Sequence, residues 1–257
     1  MQFRWYLFVP ASTATQDTDC ESRSFMDQTE FDKFAEEYEL LHRANIAASG
    51  EPPEYFAEYK IRDLKRLVCG EPAGFVAARC LDFGAGVGTT VPFFRSYFPA
   101  MRITCIDVSM KSLAIGRTNF PDGIDFVAFD GARLPFANGT FDCVFAACVF
   151  HHIPAERHAS LFAELRRVLR IDGLVMIFEH NPLNPLTVRA VNTCPFDENA
   201  SLIYAHTLRS HLEAVGFSRP QIKYRVFFPR MLRWLRPMEN SLGWLPFGAQ
   251  YYVSAKR

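Results

Sequence analysis

The sequence predicts an α/β fold, a doubly wound and mostly parallel sheet with helices on both faces. Short apolar runs alternate with helical segments from residue 77 onward, and this alternation is typical of parallel strands joined by crossover helices. A glycine-rich turn, "GAGVG" at 84–88, follows the first apolar run. A chain of 257 residues is long enough for one such domain with a sizeable core.

Composition limits the partners and the chemistry. Lysine plus arginine and aspartate plus glutamate each number 28, so no bulk charge attracts nucleic acid. The seven cysteines form no CxxC pair, and several lie in apolar runs. Free thiols in a reducing cytoplasm are therefore expected, rather than disulfides or a zinc site. Nucleic acid is not an expected partner.

The first 25 residues predict a disordered leader. The apolar run in "MQFRWYLFVP" is too short for a signal peptide, and a proline ends it. The polar stretch at 11–24 has the composition of a disordered segment. No run in the sequence is long enough to span a membrane, so an integral membrane segment is not expected.

Residues 26–76 predict an N-terminal helical cap. Phe31, Phe34, Tyr38 and Leu41 recur at helical spacing, and a second helix is expected from about 53 to 69, ending near a glycine. Helices placed before a sheet can act as a lid over its cofactor edge, with Tyr38 facing the acceptor. These aromatic residues could equally serve only to dock the helices.

Residues 77–257 predict the main domain. Its helices are expected to begin near Thr89, Ser109 and Pro154, with Ser109 as an N-cap and Gly173 as the stop signal of the third. Its first five strands are the runs "ARCLDF", "RITCID", "IDFVAF", "FDCVFAACVF" and "GLVMIFEH".

The end of the chain predicts an antiparallel edge. A short helix closed by Gly216 precedes the runs "QIKYRVFF" and "AQYYVSAK", which complete a seven-stranded sheet. Between them lies an insertion, 229–249, that contains Arg230, Arg233, Arg236, Trp234 and Trp244. This basic, aromatic segment either makes weak peripheral contact with a membrane surface or packs on the sheet as a pocket wall.

The glycine turn and the acid before it indicate the cofactor. Gly84, Gly86 and Gly88 are followed by threonine, whereas a dinucleotide fingerprint requires G-x-G-x-x-G and a P-loop ends in Gly-Lys-Ser/Thr. Asp82 precedes the turn, and its carboxylate would repel a pyrophosphate. It suits a cofactor with a positive end, such as the ammonium and sulfonium of S-adenosylmethionine.

Two further acids follow the next strands. The second strand ends in "CIDVS", which contains Asp107, and the third ends in "AFDG", which contains Asp130. Both acids are therefore expected at the carboxyl edge where ligands of open α/β sheets bind. Asp107 can accept from two ribose hydroxyls; the alternative is a helix-capping role. Asp130 can accept from an adenine amine, and the Gly131 amide can donate to the ring.

Four segments, "LDFGAGVGT", "CIDVS", "FDGARLPFANGTFD" and "CVFHHI", resemble class I S-adenosylmethionine-dependent methyltransferases, in particular the small-molecule group called type 11 or type 12. The resemblance covers about 77–178 and includes the order of the motifs. It implies a Rossmann-like sheet with S-adenosylmethionine as the cofactor. It also implies roles for the residues expected to bind that cofactor: Asp82, Gly84, Gly86, Gly88, Asp107, Val108, Asp130 and Gly131.

The acceptor side is less defined. His151 and His152 follow the fourth strand, and one of them, His151 by position, could be the general base; the alternative is that the pair only opens the next helix. Glu179, His180 and Asn181 end the fifth strand and could bind substrate or cap the turn. No HExxH or comparable spacing occurs, so no metal is expected.

The predicted function is methyl transfer to a small-molecule acceptor at oxygen, nitrogen or carbon. The resemblance extends to methyltransferases of glycan and secondary-metabolite biosynthesis. Two alternatives from other classes are an NAD(P)-dependent oxidoreductase, which the glycine spacing disfavours, and a methyltransferase-like scaffold without catalysis. The oligomeric state is left open by the sequence.

Overall fold

Seven strands form one sheet in the computed structural model, which describes residues 46, 49–71 and 75–257. The strand order is β3-β2-β1-β4-β5-β7-β6. The strands are β1 (Arg79–Phe83), β2 (Arg102–Asp107), β3 (Ile124–Ala128), β4 (Phe141–Ala147), β5 (Leu169–His180), β6 (Ser218–Arg225) and β7 (Gln250–Lys256). Strands β1 to β5 pair in parallel, and β7 pairs antiparallel with both β5 and β6. The predicted seven-stranded, mostly parallel sheet with an antiparallel edge is confirmed.

Helices connect these strands and cover the sheet. They are α1 (Pro53–Cys69), α2 (Val91–Tyr97), α3 (Met110–Asn119), α4 (Ala155–Val168), α5 (Pro185–Thr193), α6 (Ala205–Ala214) and α7 (Glu239–Leu242), with 3-10 turns at Phe150–His152, Pro195–Asp197 and Arg230–Met238. The predicted helix at 53–69 is present as α1. The N-cap prediction for Ser109 is confirmed, since its hydroxyl accepts from the Ser112 amide at 3.0 Å.

Alternating residues of each strand build two apolar cores. One face, with Leu81, Ile106 and Val144, packs against α4 and α6. The other face, with Cys80 and Cys105, packs against α1, α2 and α3. Because both faces are covered, the strands are apolar on both sides, and the carboxyl ends of β1, β2, β3, β4 and β5 share one edge.

Two local expectations were wrong. Gly173 does not stop a helix, because α4 ends at Val168 and β5 begins at Leu169, so Gly173 lies within the strand. A Cβ at this position would lie 2.9 Å from the Arg170 oxygen and 3.1 Å from the Asp142 oxygen. Glycine at position 173 therefore allows these backbone oxygens to lie close to the strand. The second helix begins at Val91 rather than near Thr89.

Helix α1 is attached to the sheet by a buried ion pair. Arg225 on β6 places Nε 2.5 Å from Asp63 Oδ2, and its Nη2 donates to Oδ1 at 3.0 Å. Both side chains are buried. Tyr59 packs on Phe178 of β5, with ring centroids 5.8 Å apart. Helix α1 thus belongs to the same packed body as the sheet.

The expected leader, Tyr38 and most of the first predicted helix lie outside the described residues. The boundary between a helical cap and the main domain, and the lid motion it implies, stay predictions.

The insertion before β7 is partly docked and partly exposed. Arg236 donates to Glu51 at 2.6 Å and lies over the Tyr55 ring at 4.4 Å, so it is not a free surface cation. Trp234 and Trp244 are 71% and 74% exposed. Contact of this segment with a membrane surface stays a prediction. Within the described ranges, no helix is long and apolar enough to cross a bilayer.

Removing the Asp63 carboxylate should destabilise the chain strongly. In Asp63→Ala, Arg225 keeps its buried charge without its counter-ion, and breaking a buried pair in this way costs about 3–5 kcal/mol. The control is Glu213→Ala, which breaks the exposed pair with Arg209 and should cost less than about 1 kcal/mol. Urea unfolding measures both. Equal losses of unfolding free energy would show that the buried pair does not anchor α1.

Candidate active site

The glycine loop between β1 and α2 has a backbone that ordinary residues rarely adopt. Gly84, Gly86 and Gly88 have φ values of +71°, +54° and +82°. A Cβ on Gly84 would lie 2.5 Å from a methyl carbon of Val149, whereas a Cβ on Gly86 would meet nothing within 4 Å. Gly84 therefore allows close packing against the loop after β4. Gly86 borders open space, where a ligand can approach the backbone.

Asp107 connects this loop to the next strand end. Its Oδ2 accepts from the Gly86 amide at 2.8 Å, and its Oδ1 accepts from the Ser109 amide at 2.9 Å. Both bonds are charge-assisted. The carboxylate orders the glycine loop and also caps the turn into α3, so the cofactor role and the capping role that the sequence left as alternatives are compatible.

Asp82 is buried at the end of β1. Its Oδ2 accepts from the Thr90 hydroxyl at 2.5 Å. Burial raises the pKa of this carboxyl to about 7, with a further increase from the negative charge of Asp107, against lowering by the Thr90 hydrogen bond and the Lys60 charge. A group with this pKa changes its ionisation near neutral pH.

The strand β3 end is more open. Asp130 is exposed, and its Oδ1 accepts from the amides of Ala132 and Arg133 at 2.8 and 2.9 Å. These backbone hydrogen bonds lower the pKa of Asp130. Gly131 is buried with φ +77°, and Val108 is 8% exposed. The structure therefore places every predicted cofactor residue along the carboxyl ends of β1, β2 and β3.

A buried polar cluster lies beyond the end of β4. His151 Nδ1 lies 2.6 Å from Oε2 of Glu179, and Glu179 Oε1 accepts from the amides of Val149 and Phe150 at 3.2 and 2.8 Å. Burial disfavours a charged imidazole, but the carboxylates of Glu179 and Asp197 raise the pKa of His151 to about 10. A histidine with so high a pKa does not suit a general base, because a general base needs a pKa near the operating pH.

Two more histidines adjoin this ring. The His152 ring centroid lies 4.1 Å from that of His151, and the His180 centroid lies 5.1 Å from it. Burial and the positive charge of His151 lower the pKa of His152 to about 3 and that of His180 to about 4. The structure thus brings His151, His152 and His180 together, as the sequence positions after β4 and β5 suggested.

Asn181 has a structural position. Its Nδ2 donates to the Pro246 and Gly248 oxygens at 3.0 and 2.8 Å, and its Oδ1 accepts from the Leu183 amide at 3.1 Å. These contacts tie the loop before β7 to the end of β5. Because the amide is occupied by backbone groups, we do not assign Asn181 to substrate. Tyr38, the other candidate from the cap, lies in the part of the chain that the structure does not describe.

Comparison with known proteins identifies the family. A family model described as a methyltransferase domain matches residues 81–177. The demethylmenaquinone methyltransferase of Thermotoga maritima is 29% identical over 209 residues, which is 80% of each chain. The chain is a class I S-adenosylmethionine-dependent methyltransferase. The cofactor is S-adenosylmethionine, which decides against the nicotinamide oxidoreductase and the non-catalytic scaffold.

Other similarities to this methyltransferase are more partial. The ubiquinone/menaquinone biosynthesis C-methyltransferase of Hahella chejuensis is 29% identical over 139 residues. The chain spans 55% of that relative's length, and the alignment covers 51% of this chain. A crystal structure of a SAM-dependent methyltransferase from Archaeoglobus fulgidus has a TM-score of 0.60 at 16% identity, covering 80% of this chain and 95% of that one. The structural match shows a shared fold.

The residues of the methyltransferase fit this cofactor. A positively charged donor suits the carboxylates Asp82 and Asp107, and the open space beside Gly86 gives it access to backbone amides. We propose that Asp107 and Val108 contact the ribose, that Asp130 and Gly131 contact the base, and that the glycine loop surrounds the methionine end.

Lys60 was missed by the sequence analysis. It lies on the buried face of α1 and is 7% exposed, and its Nζ lies 3.4 Å from Cys148 Sγ and 6.0 Å from the Phe178 ring centroid. Among the described residues, no carboxylate lies within 4.0 Å of this ammonium. The signal was present in "FAEYKIRDL", where Lys60 falls at helical spacing with Phe56 and Leu64 on the apolar stripe.

Affinity of the methyltransferase for S-adenosylmethionine should rise with pH through about 7. Asp82 is protonated below its pKa of about 7, and only its ionised form attracts a cation, so affinity should increase up to ~10-fold between about pH 6 and pH 8. Calorimetry at constant ionic strength measures it. In Asp82→Asn, the increase in affinity between these pH values should be smaller by the same ~10-fold factor. Asp125→Asn, at an exposed position on β3, should show the same pH dependence of affinity as wild type. Identical pH profiles for wild type and Asp82→Asn would refute the role of this carboxylate.

Proposed function

We propose that this methyltransferase acts on a small aromatic hydroxy compound whose hydroxyl ionises, methylating either the oxygen or a ring carbon conjugated with it. The relatives' names, which concern quinone biosynthesis, support an acceptor of this class. The observation that carries the proposal is the buried Lys60 ammonium beside the strand ends. A sugar hydroxyl, which stays neutral, and an amine cation fit this position less well than an oxyanion.

The surroundings of Lys60 support a position for it on the acceptor side. Cys148, its neighbour, follows β4 directly and has a φ of +59°. Gln250 Nε2 lies 3.7 Å from Cys148 Sγ and 3.4 Å from His180 Nδ1, and the Tyr59 hydroxyl donates to Gln250 Oε1. These side chains form one cluster at the ends of β4 and β5. A buried ammonium with no carboxylate within 4.0 Å among the described residues is costly, so an anionic ligand would stabilise it.

The main task of the chain is then to position the acceptor against the methyl group. S-adenosylmethionine, when bound, supplies a methyl group already activated by its sulfonium. The acceptor hydroxyl releases its proton to solvent as it binds, and Lys60 stabilises the resulting oxyanion. Loss of that proton raises the electron density of the oxygen and of the conjugated carbon, and methyl transfer to carbon ends with loss of the proton from that carbon. Gln250 and His180 orient the acceptor, and the buried walls of Phe178 and Tyr59 exclude water. Alignment of this kind can lower the barrier by several kcal/mol.

The test measures S-adenosylhomocysteine formation with a panel of acceptors. Reduced quinols and phenols should be methylated, and simple amines and neutral sugars should not. Lys60→Met should lower kcat/KM for the best phenolic acceptor ~10–100-fold, because it removes a charge-assisted contact of about 1.5–3 kcal/mol. The control is Lys65→Met on the same helix, whose ammonium lies 4.9 Å from the Phe98 ring centroid. It should retain wild-type activity.

Two results would contradict the proposed acceptor. One is methylation of amines or sugars with no turnover of any phenol or quinol. The other is an equal kcat/KM for Lys60→Met and Lys65→Met with a phenolic acceptor. Both variants should bind S-adenosylmethionine, which verifies that the fold and the cofactor site are intact.

A further inference from the structure

Three potential metal ligands converge beside the acceptor cluster. His151 Nε2 lies 3.7 Å from Asp197 Oδ1, and His152 Nε2 lies 3.4 Å from the same oxygen. One ligand atom from each of the three side chains can be chosen so that all lie within 4.8 Å of one another. Two ligands at about 2.1 Å from one ion in tetrahedral geometry are about 3.4 Å apart. The spacing of these atoms therefore matches a shared ion, and 3.7 Å exceeds a direct hydrogen bond.

The outer contacts of His151 support this assignment. Its Nδ1 lies 2.6 Å from the Glu179 carboxylate, which orients the ring and leaves Nε2 directed toward Asp197. A ligating histidine in proteins commonly donates its other nitrogen to a carboxylate, which fixes its tautomer. Glu179 is held in turn by two backbone amides and is fully buried. The contacts that would orient His151 as a metal ligand are therefore already present.

The cluster is assembled from distant parts of the chain. His151 and His152 lie on the 3-10 turn Phe150–His152, whereas Asp197 lies on the 3-10 turn Pro195–Asp197, after α5. The Ser201 amide donates to the His151 oxygen at 2.7 Å, which ties the segment after Asp197 to the histidine turn. Asp197 lies outside residues 81–177, which match the family model, so the family match does not itself include this ligand.

We propose that His151, His152 and Asp197 bind one divalent transition-metal ion of the zinc class. Two imidazoles and one carboxylate suit zinc and also iron(II), and three protein ligands leave at least one coordination position free. The carboxylates Asp197 and Glu179 supply two negative charges near the ion. Asp197 is distant in the sequence from the histidine pair, so no local spacing pattern marks this site.

The free position has a use in the proposed reaction. An acceptor hydroxyl bound to a divalent ion loses its proton more readily, and it would stay near His180 and Lys60, which lie on the same side of the sheet edge. This part of the inference rests on the proposed function and makes the acceptor an oxygen ligand. Metal binding itself does not depend on it.

Metal binding is measured on the full chain without an affinity tag, after dialysis against a chelator. Zinc calorimetry should give one site per chain with a Kd of about 1 µM or tighter. Cobalt(II) should give a visible absorption band of a low-coordinate site. His152→Ala and Asp197→Asn should weaken zinc binding by about 100-fold or more, and Glu179→Gln by about 10–100-fold. The control His206→Ala changes an exposed histidine and should bind as wild type.

The outcomes separate this inference from the proposed function. Absence of zinc binding by the folded wild-type chain would overturn the metal site. Zinc binding of equal strength in wild type and His152→Ala would also overturn it. Because His152 is partly exposed, this variant should fold. Circular dichroism verifies folding of each variant. A chain that binds zinc but methylates no phenol supports the site and refutes only the proposed acceptor. Phenol methylation by a chain that binds no zinc refutes only the site.

Discussion

The cofactor edge depends on the Asp107 carboxylate, which holds two backbone amides of different segments. One amide belongs to the glycine loop after β1 and the other to the start of α3. The parallel pairing of β1 with β2 brings these segments together, because neighbouring parallel strands end at the same side of the sheet. A glycine loop with positive φ values can then bring an amide near one carboxylate, and this shapes the cradle in which we propose that the cationic donor binds.

On the acceptor side, the Glu179 carboxylate holds two backbone amides, as Asp107 does on the cofactor side. Strand β5 ends beside β4, so the buried Glu179 carboxylate reaches the turn after β4 and accepts from two of its amides as well as facing the His151 ring. One buried carboxylate therefore sets the direction of the His151 ring and fixes the backbone just before it. The position of the His151 ring therefore depends on this buried carboxylate as well as on its own place in the 3-10 turn Phe150–His152.

Much of the fold could be predicted from the sequence because its signals are local. The run "RITCID" and the N-cap Ser109 both depend on neighbouring residues, and each appears where expected. Gly173 was misread because its role comes from backbone oxygens near the Cβ position, 2.9 and 3.1 Å away. No sequence pattern records such a distance.

The site divides in the same way. The cofactor acids follow strand ends, so Asp82 and Asp107 could be found from spacing. Lys60 and Asp197 come from α1 and from the turn after α5, and only the packing of α1 and α5 around the sheet brings them to the acceptor end. A charged residue on an apolar helix stripe was the one available signal for Lys60, whereas Asp197 gave none.

The most direct measurement of the central claim is a calorimetric titration of the full chain and of Asp107→Ala with S-adenosylmethionine. We expect binding by wild type and a loss of about 1–3 kcal/mol in the variant, because the proposed charged hydrogen bonds to the ribose and the order of the glycine loop are removed together. An exposed acid on β3, in Asp125→Ala, should show no loss. Equal affinities for wild type and Asp107→Ala would contradict the account.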